Sequence, residues 1–150
     1  MLSIITRDAV LLERFSYEDD IDKESLRAFR QIFLNQKPDH PFHSCDDITF
    51  LRHIGGIARD RVSGREDLTL AGLLMFGQFR SIFDAVPNYL IDYQEHGDAD
   101  VRWTDRVTTD GTWSGNIFDF YRSVIRKLTA DLKISFRLKG DMRVEDTPGA

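Results

Sequence analysis

The stretch LTLAGLLMFG, residues 68–77, contains only one polar residue in ten and is closed by a glycine. Thr69 is placed to cap a helix. The leucines that follow then fall on one stripe of that helix: Leu70, Leu73 and Leu74. No side chain in this stretch is suited to acid–base, nucleophilic or metal chemistry. We therefore predict a short buried helix that belongs to the core and ends at the closing glycine.

Helical spacing recurs on both sides of this stretch. Asp22 is a good N-cap, and the apolar residues after it predict an amphipathic helix that ends near Asn35. Asp46 can cap a second helix that stops at the glycine pair 55–56. Another helix is expected over 79–86, before Pro87. The longest apolar stripe predicts a helix for which Asn116, together with Asp119, forms the N-terminal cap. The stripe consists of Ile117, Phe120, Tyr121, Val124, Ile125, Leu128 and Leu132.

Alternating apolar residues indicate a small amount of strand. Residues 89–94 alternate as a half-buried strand does, and the segment 134–145 alternates on both sides of a Lys-Gly-Asp turn, which predicts a hairpin. Residues 57–68 could form a small hairpin or a plain loop. We therefore expect a helix-rich α+β fold in one domain, residues 1–150, with a small, mainly antiparallel sheet.

Composition limits the class of protein. A chain of 150 residues is long enough to bury a core, and its net charge of −5 argues against nucleic-acid binding over the whole surface. The one cysteine, Cys45, cannot form an internal disulfide, which favours a reducing compartment. Because no signal peptide or membrane-length apolar run is present, we expect a cytoplasmic protein without a membrane partner.

Residues with catalytic or metal-binding chemistry do not form a convincing set. His40, His43 and Cys45 have the side chains of zinc ligands, but no second cluster supplies the remaining ligands. The acidic residues 19–22 are explained by the helix that follows them. We therefore expect no metal, no bound cofactor and no catalytic residue in this chain.

The last fifth of the chain is basic. Residues 121–150 contain seven Lys/Arg against four Asp/Glu, and five of these cations are candidates for one nucleic-acid-binding face: Arg122, Arg126, Lys133, Arg137 and Arg143. They equally suit the solvated side of an amphipathic helix and hairpin. A second candidate is a winged-helix-like element made by the helix after Asp46 and a wing that carries Arg59, Arg61 and Arg65.

A long polar segment over 95–114 is expected to be a loop around Trp103 and Trp113. Loops of this length are often functional or docked against another surface. We therefore predict that these two tryptophans form a docking surface. At the other end of the sequence, Thr147 and Pro148 form a helix-start signal, from which we expect the natural protein to continue and this chain to be an excised segment.

Six blocks in order resemble the central part of bacterial proteins related to the ATP-dependent DNA helicase RecG, a family that also includes transcriptional regulators. The blocks are FLRHIGG at 50–56, LTLAGLLMFG at 68–77, PNYLIDY at 87–93, VRWTDR at 101–106, GTWSGN at 111–116 and RVEDTP at 143–148. The resemblance runs over most of the chain from about Asp22 onward.

The resemblance implies a modular protein. An N-terminal Schlafen AlbA-like domain that binds nucleic acid or nucleotide would precede this region, and a GHKL-type ATP-binding domain would follow it. ATP is then the cofactor of the full-length protein, for which ATPase activity stays open, and this segment itself is not an enzyme. We accordingly expect a non-catalytic connecting domain whose partners are the adjacent domains of the same polypeptide, with DNA as a further candidate. The alternative is a nucleic-acid-binding module that uses the basic face of residues 122–143.

Overall fold

The computed structural model describes the backbone of residues 7–96 and 103–146 and the side chains of residues 7–96 and 105–133. The α-helices are α1 (Tyr17–Asp20), α2 (Lys23–Gln36), α3 (Asp47–Ile54), α4 (Leu70–Phe76), α5 (Phe79–Ala85) and α6 (Ile117–Asp146). The strands are β1 (Leu11–Leu12), β2 (Ile57–Arg59), β3 (Glu66–Thr69), β4 (Asp92–His96) and β5 (Trp103–Thr108). Short 3-10 turns lie at Arg7–Ala9 and Pro41–Ser44.

Three of the helices begin at capping side chains that the sequence offers. The Asp22 carboxylate accepts from two backbone N–H groups at the start of α2, and Asp46 accepts from the N–H of Thr49 in α3. Thr69 accepts from the N–H of Gly72 at the start of α4. Each bond satisfies a backbone donor that has no partner within the helix. The predicted helices after these three caps are confirmed.

Three strands form an antiparallel sheet in the order β1–β3–β2. Leu11 lies opposite Thr69, and Ile57 lies opposite Leu68. The segment over 57–68 is thus a hairpin, which settles the choice between a hairpin and a loop. The sheet leads directly into α4, whose Gly72 packs against the Gly56 backbone so closely that a Cβ there would lie 2.4 Å from the Gly56 carbonyl oxygen.

Strands β4 and β5 form a separate antiparallel ribbon in which Asp92 lies opposite Thr108. The strand expected over 89–94 is present but begins later, because Tyr89 donates its N–H to the Val86 carbonyl in a turn. The expectation of a loop throughout 95–114 was wrong, since 103–108 is a strand. In β5 three polar residues separate the apolar Trp103 from Val107, so hydrophobic patterning does not mark this strand.

The hairpin expected over 134–145 was also wrong, because α6 continues through this segment to Asp146. The apolar residues at 134 and 138 are four positions apart. Residues with this spacing lie on one face of a strand and also on one face of a helix, so the pattern does not distinguish the two. The leucine, lysine and arginine residues in the segment favour helix. Gly140 weakens a helix interior by only about 1 kcal/mol, which is too little to end a helix that is already long.

The core lies where α2, α3, α4 and the first turn of α6 meet the three-stranded sheet. Its buried side chains are Ile21, Leu26, Phe50, Leu51, Ile57, Leu68, Phe76 and Phe118. Phe29 packs edge-on against Phe50, Phe76 and Phe118, with ring centroids 5.1–6.1 Å apart. The chain is therefore a helix-rich α+β domain with small antiparallel sheets, as expected. No helix in the part of the chain described here has the length and apolar character needed to cross a bilayer.

Candidate functional site

The first turn of α6 is fixed to the core by a fully buried asparagine. The Asn116 side-chain oxygen accepts from the N–H of Asp119 at 2.8 Å and so caps the helix. Its amide nitrogen donates to the Ser25 hydroxyl at 2.9 Å and to the Gly77 carbonyl at 3.1 Å. One side chain thus joins the start of α6 to α2 and to the end of α4.

Asp119 extends this network by accepting three side-chain hydrogen bonds. The hydroxyls of Ser25 and Ser114 donate to one carboxylate oxygen at 2.6 and 2.5 Å, and the Arg122 guanidinium donates to the other at 2.9 Å. Burial favours the neutral acid, but these hydrogen bonds outweigh it and hold the pKa of Asp119 below its ordinary value. We call Ser25, Ser114, Asn116 and Asp119 the α6 anchor.

Beyond the anchor, the apolar face of α6 leaves the core. Phe118 is 5% exposed, whereas Tyr121 is 60%, Ile125 41%, Leu128 42% and Leu132 58% exposed. We call these last four residues the α6 stripe. Clustered exposed apolar side chains of this size mark interaction surfaces more often than solitary ones do.

An apolar groove lies on the core where α2, α3 and α4 meet. The groove has a volume of about 210 Å³, and its lining includes Phe29, Ile54, Met75 and Phe76. Phe118 packs against Phe29 at 5.4 Å and against Phe76 at 6.1 Å, measured between ring centroids. Ile54 is itself 40% exposed, and the described residues that line the groove include none from α6.

The β4–β5 ribbon and the loop before α6 support another face of this helix. Lys127 binds the Asp105 carboxylate at 2.5 Å. A hydrogen bond with Asp131, together with burial and the nearby negative charges, raises the pKa of Glu95 in the ribbon. These contacts fix α6 beside the ribbon and leave the α6 stripe uncovered within the described residues.

The predicted docking tryptophans are used differently from one another. Trp113 donates its indole N–H to the Thr108 carbonyl at 2.7 Å and stacks on Phe120 with ring centroids 6.2 Å apart. It also lines a cleft of about 520 Å³ at the start of α2. The side chain of Trp103 lies outside the described residues. Trp113 therefore supports α6 from within and retains one face toward a cleft.

The predicted basic residues differ in their surroundings. Arg122 is bound by Asp119, and its guanidinium lies 4.8 Å from the Phe118 ring centroid. Arg126 and Lys133 are exposed, and no ion pair joins either of them to another described side chain. Arg137 and Arg143 lie on α6 rather than on a hairpin, and their side chains are outside the described set.

The metal-type side chains bind the backbone around them. The His40 ring accepts from the N–H of Phe42, and Cys45 donates its thiol to the Phe42 carbonyl. His43 contacts the Lys37 carbonyl. Among residues whose placement is described, no group of three or more His, Cys, Asp or Glu side chains is arranged to hold a metal ion.

On the β2–β3 hairpin, the charges of the candidate wing are largely balanced. Arg65 pairs with Asp67 at 3.3 Å and with Glu13 at 3.8 Å. Arg59 and Arg61 share a surface groove with these acids and with Asp60. A groove with three cations and three anions has little net attraction for phosphate, so the geometry gives the wing no advantage over α6.

Comparison with known proteins identifies a family for the part of the chain that precedes α6. A family model described as "Domain of unknown function (DUF8451)" matches residues 3–92. No curated protein matches the chain, and no solved structure matches it. The family match covers more than half of the chain, from the first strand to the start of the β4–β5 ribbon. The chain therefore belongs to the DUF8451 family.

Proposed function

We propose that this chain is a non-catalytic connecting and docking domain of a multidomain ATP-binding, DNA-associated bacterial regulator. The observation that carries the proposal is the contrast along α6, whose first turn is fixed by the buried α6 anchor and whose next turns present an uncovered apolar face. A helix held in this way has a set direction relative to the core. A neighbouring domain that binds this helix is therefore held in a set orientation relative to the core.

The length of α6 suits a connecting role. Its 30 residues span about 45 Å at roughly 1.5 Å per residue. The helix is longer than packing on the core requires, because only its first turn packs into the core. The adjacent domains of the same polypeptide are the partners that this proposal assigns, with the cleft beside Trp113 as a second point of contact. ATP would be bound by a neighbouring domain, and the whole protein would act in the cytoplasm.

The connecting role is tested by measuring how rigidly α6 is held. In a Cys45→Ser background, cysteines at Asn35 and Ala130, both exposed, carry spin labels for a pulsed dipolar distance measurement. We expect one narrow distance distribution that broadens in Asn116→Ala and is unchanged in the exposed control Thr129→Ala. A broad distribution in the parent chain would show that α6 is not a fixed connector.

The non-catalytic part of the proposal is tested with nucleotide. We expect no saturable ATP binding by this chain, and binding once a natural GHKL-type neighbour is joined to it. Calorimetric titration of the chain with ATP measures this directly. Micromolar ATP binding by the chain alone would overturn the assignment of nucleotide binding to a neighbouring domain.

A nucleic-acid-binding module is the second candidate, favoured by one observation. The continuous helix places Arg122, Arg126 and Lys133 at spacings of four and seven residues, which is one stripe along α6. Two of these cations, Arg126 and Lys133, have no ion-pair partner among the described side chains. A phosphate backbone would bind this stripe with an affinity that falls as salt rises.

Fluorescence anisotropy with a labelled duplex at low salt tests this candidate. The expectation is that Arg126→Glu combined with Lys133→Glu abolishes binding. Arg27→Glu combined with Arg80→Glu makes the same charge change at exposed positions on α2 and α5 and should not abolish it. Each lost phosphate contact lowers the salt-dependence slope by about 0.9. Absence of binding by the parent chain at low salt would eliminate the candidate.

A further inference from the structure

The cleft at the start of α2 has an aromatic wall formed by Trp113 and Phe79. The Trp113 ring is held in place by its hydrogen bond to the Thr108 carbonyl and by the stack with Phe120. Its other face is directed to the cleft. An indole that is fixed in this way is a preformed surface on which a planar cationic group can stack.

A second wall of the cleft belongs to the acidic segment 18–24. Five of these seven residues are Asp or Glu and one is Lys, which gives a balance of −4 in a chain whose net charge is −5. Glu18, Asp22 and Glu24 from this segment line the cleft. A segment with nearly the net charge of the whole chain therefore lies beside the free face of Trp113.

Two acids of this segment are used by the fold itself. Asp20 accepts from the Ser16 N–H and from the Ser81 hydroxyl, both at 2.7 Å. Asp22 accepts from the first backbone N–H groups of α2, both at 3.1 Å. Its carboxylate thus offsets the positive end of the helix dipole, which would otherwise disfavour a cation at this position.

Two other acids can bind a ligand. Glu18 is exposed, and no ion pair joins it to another described side chain. Glu24 pairs with Arg27 at 3.0 Å, but both side chains are about three-quarters exposed, and a competing cation readily replaces such a pair. Lys23 does not neutralise them from within the cleft, because its ammonium lies over the Tyr17 ring, which lines an adjacent groove.

We propose that this cleft binds an arginine side chain presented by a basic segment of the adjacent domain. The inference rests on the proposed function in one respect, since it takes the cleft to be a point of contact with that domain and names the chemistry of the contact. A guanidinium is planar, so it can stack on Trp113 while its N–H groups donate to Glu18 and Glu24.

Charge complementarity selects this occupant. An acidic segment would be repelled by the balance of −4, and an apolar segment would cover the two carboxylates without giving them hydrogen bonds. A cleft of about 520 Å³ has room for a side chain of this size and for the backbone that carries it.

Titration of the full chain with the peptide acetyl-Arg-Arg-Arg-amide tests the proposal. Proton–nitrogen NMR follows the indole N–H signal of Trp113, which is identified by its loss in Trp113→Phe. We expect a saturable shift of this signal with a Kd of roughly millimolar, as one stacking contact and two exposed ion pairs allow. The peptide acetyl-Lys-Lys-Lys-amide should bind several-fold more weakly, because an ammonium has no planar face to stack.

Matched variants separate the cleft from general attraction to an acidic protein. Glu18→Gln combined with Glu24→Gln should raise the Kd about tenfold, at about threefold for each exposed pair. Glu13→Gln combined with Asp39→Asn makes the same charge change at exposed positions that do not line the cleft, and should leave the Kd within about twofold. Circular dichroism of all four substituted positions in these two variants establishes that the fold is kept.

Three results would overturn the proposal. The Trp113 signal could fail to shift in a saturable way, or the two double variants could weaken binding equally. Equal affinity for the arginine and lysine peptides would also overturn it, because stacking on Trp113 would then contribute nothing. Absence of peptide binding together with a narrow spin-label distance distribution would leave the connecting role of α6 standing, so the two proposals fail separately.

Discussion

Replacing Asn116 with alanine tests the α6 anchor, and the structure sets the expected size of the effect. The change removes the helix cap on the Asp119 N–H, which is worth about 1 kcal/mol. It also removes the hydrogen bonds to Ser25 and Gly77. Each is worth about 1 kcal/mol, and the Gly77 carbonyl loses its amide partner. Because the site is fully buried, water does not readily replace these contacts.

We therefore expect Asn116→Ala to lower the free energy of unfolding by about 2–4 kcal/mol, a large share of the 5–15 kcal/mol that holds a domain together. Urea unfolding followed by circular dichroism measures the change. Asn35→Ala removes the same group from an exposed position on α2 and should stay within about 0.5 kcal/mol of the parent. A loss below about 1 kcal/mol in Asn116→Ala would refute the reasoning that this side chain anchors α6.

Three further predictions concern packing and titration. Gly72→Ala should lower the melting temperature by several degrees or prevent folding, because its Cβ would lie 2.4 Å from the Gly56 oxygen; differential scanning calorimetry measures this, and an unchanged transition would contradict the α4 packing. Because the pKa of Asp119 is lowered in the folded state, the ionised carboxylate stabilises the fold at pH values above the ordinary aspartate pKa, and this contribution is lost as pH falls through the folded-state pKa. Asp119→Asn should therefore reduce the dependence of the free energy of unfolding on acid pH, and the same dependence in the variant and the parent would contradict the network. Burial raises the pKa of Tyr89 to about 12, so stability should fall above pH 10 as the unfolded chain ionises first; ultraviolet titration should show Tyr89→Phe removing a late-titrating phenol, and loss of an ordinary one would refute its burial.

Much of the helical core could be predicted because its signals are local. Asp22, Asp46 and Thr69 each cap a helix within three residues, so their roles depend only on neighbouring sequence. Asn116 was expected to cap α6 for the same reason, and this is confirmed. The residues that Asn116 also binds, Ser25 and Gly77, are 91 and 39 positions away, and no pattern within one segment indicates such contacts.

Both errors in assigning strands come from relying on the spacing of apolar residues. Patterning identifies a strand by apolar residues at alternate positions, and in β5 three polar residues separate Trp103 from Val107. The segment 134–145 shows alternation, but alternation over four positions also matches one helical step, and the end of α6 follows the helix. The spacing of the α6 stripe is visible in the sequence. Its exposure is not, since an apolar stripe is the ordinary sign of burial.

Hydrogen–deuterium exchange along α6, read by mass spectrometry, tests the central claim that this helix is fixed at its start and presents a free apolar face. We predict strong protection of residues 117–120 at every protein concentration, and loss of that protection in Asn116→Ala while α3 stays protected. Residues 121–132 should be less protected than residues 117–120, because the apolar side chains beyond the first turn are exposed. A first turn of α6 that exchanges as fast in the parent chain as in Asn116→Ala would contradict the account.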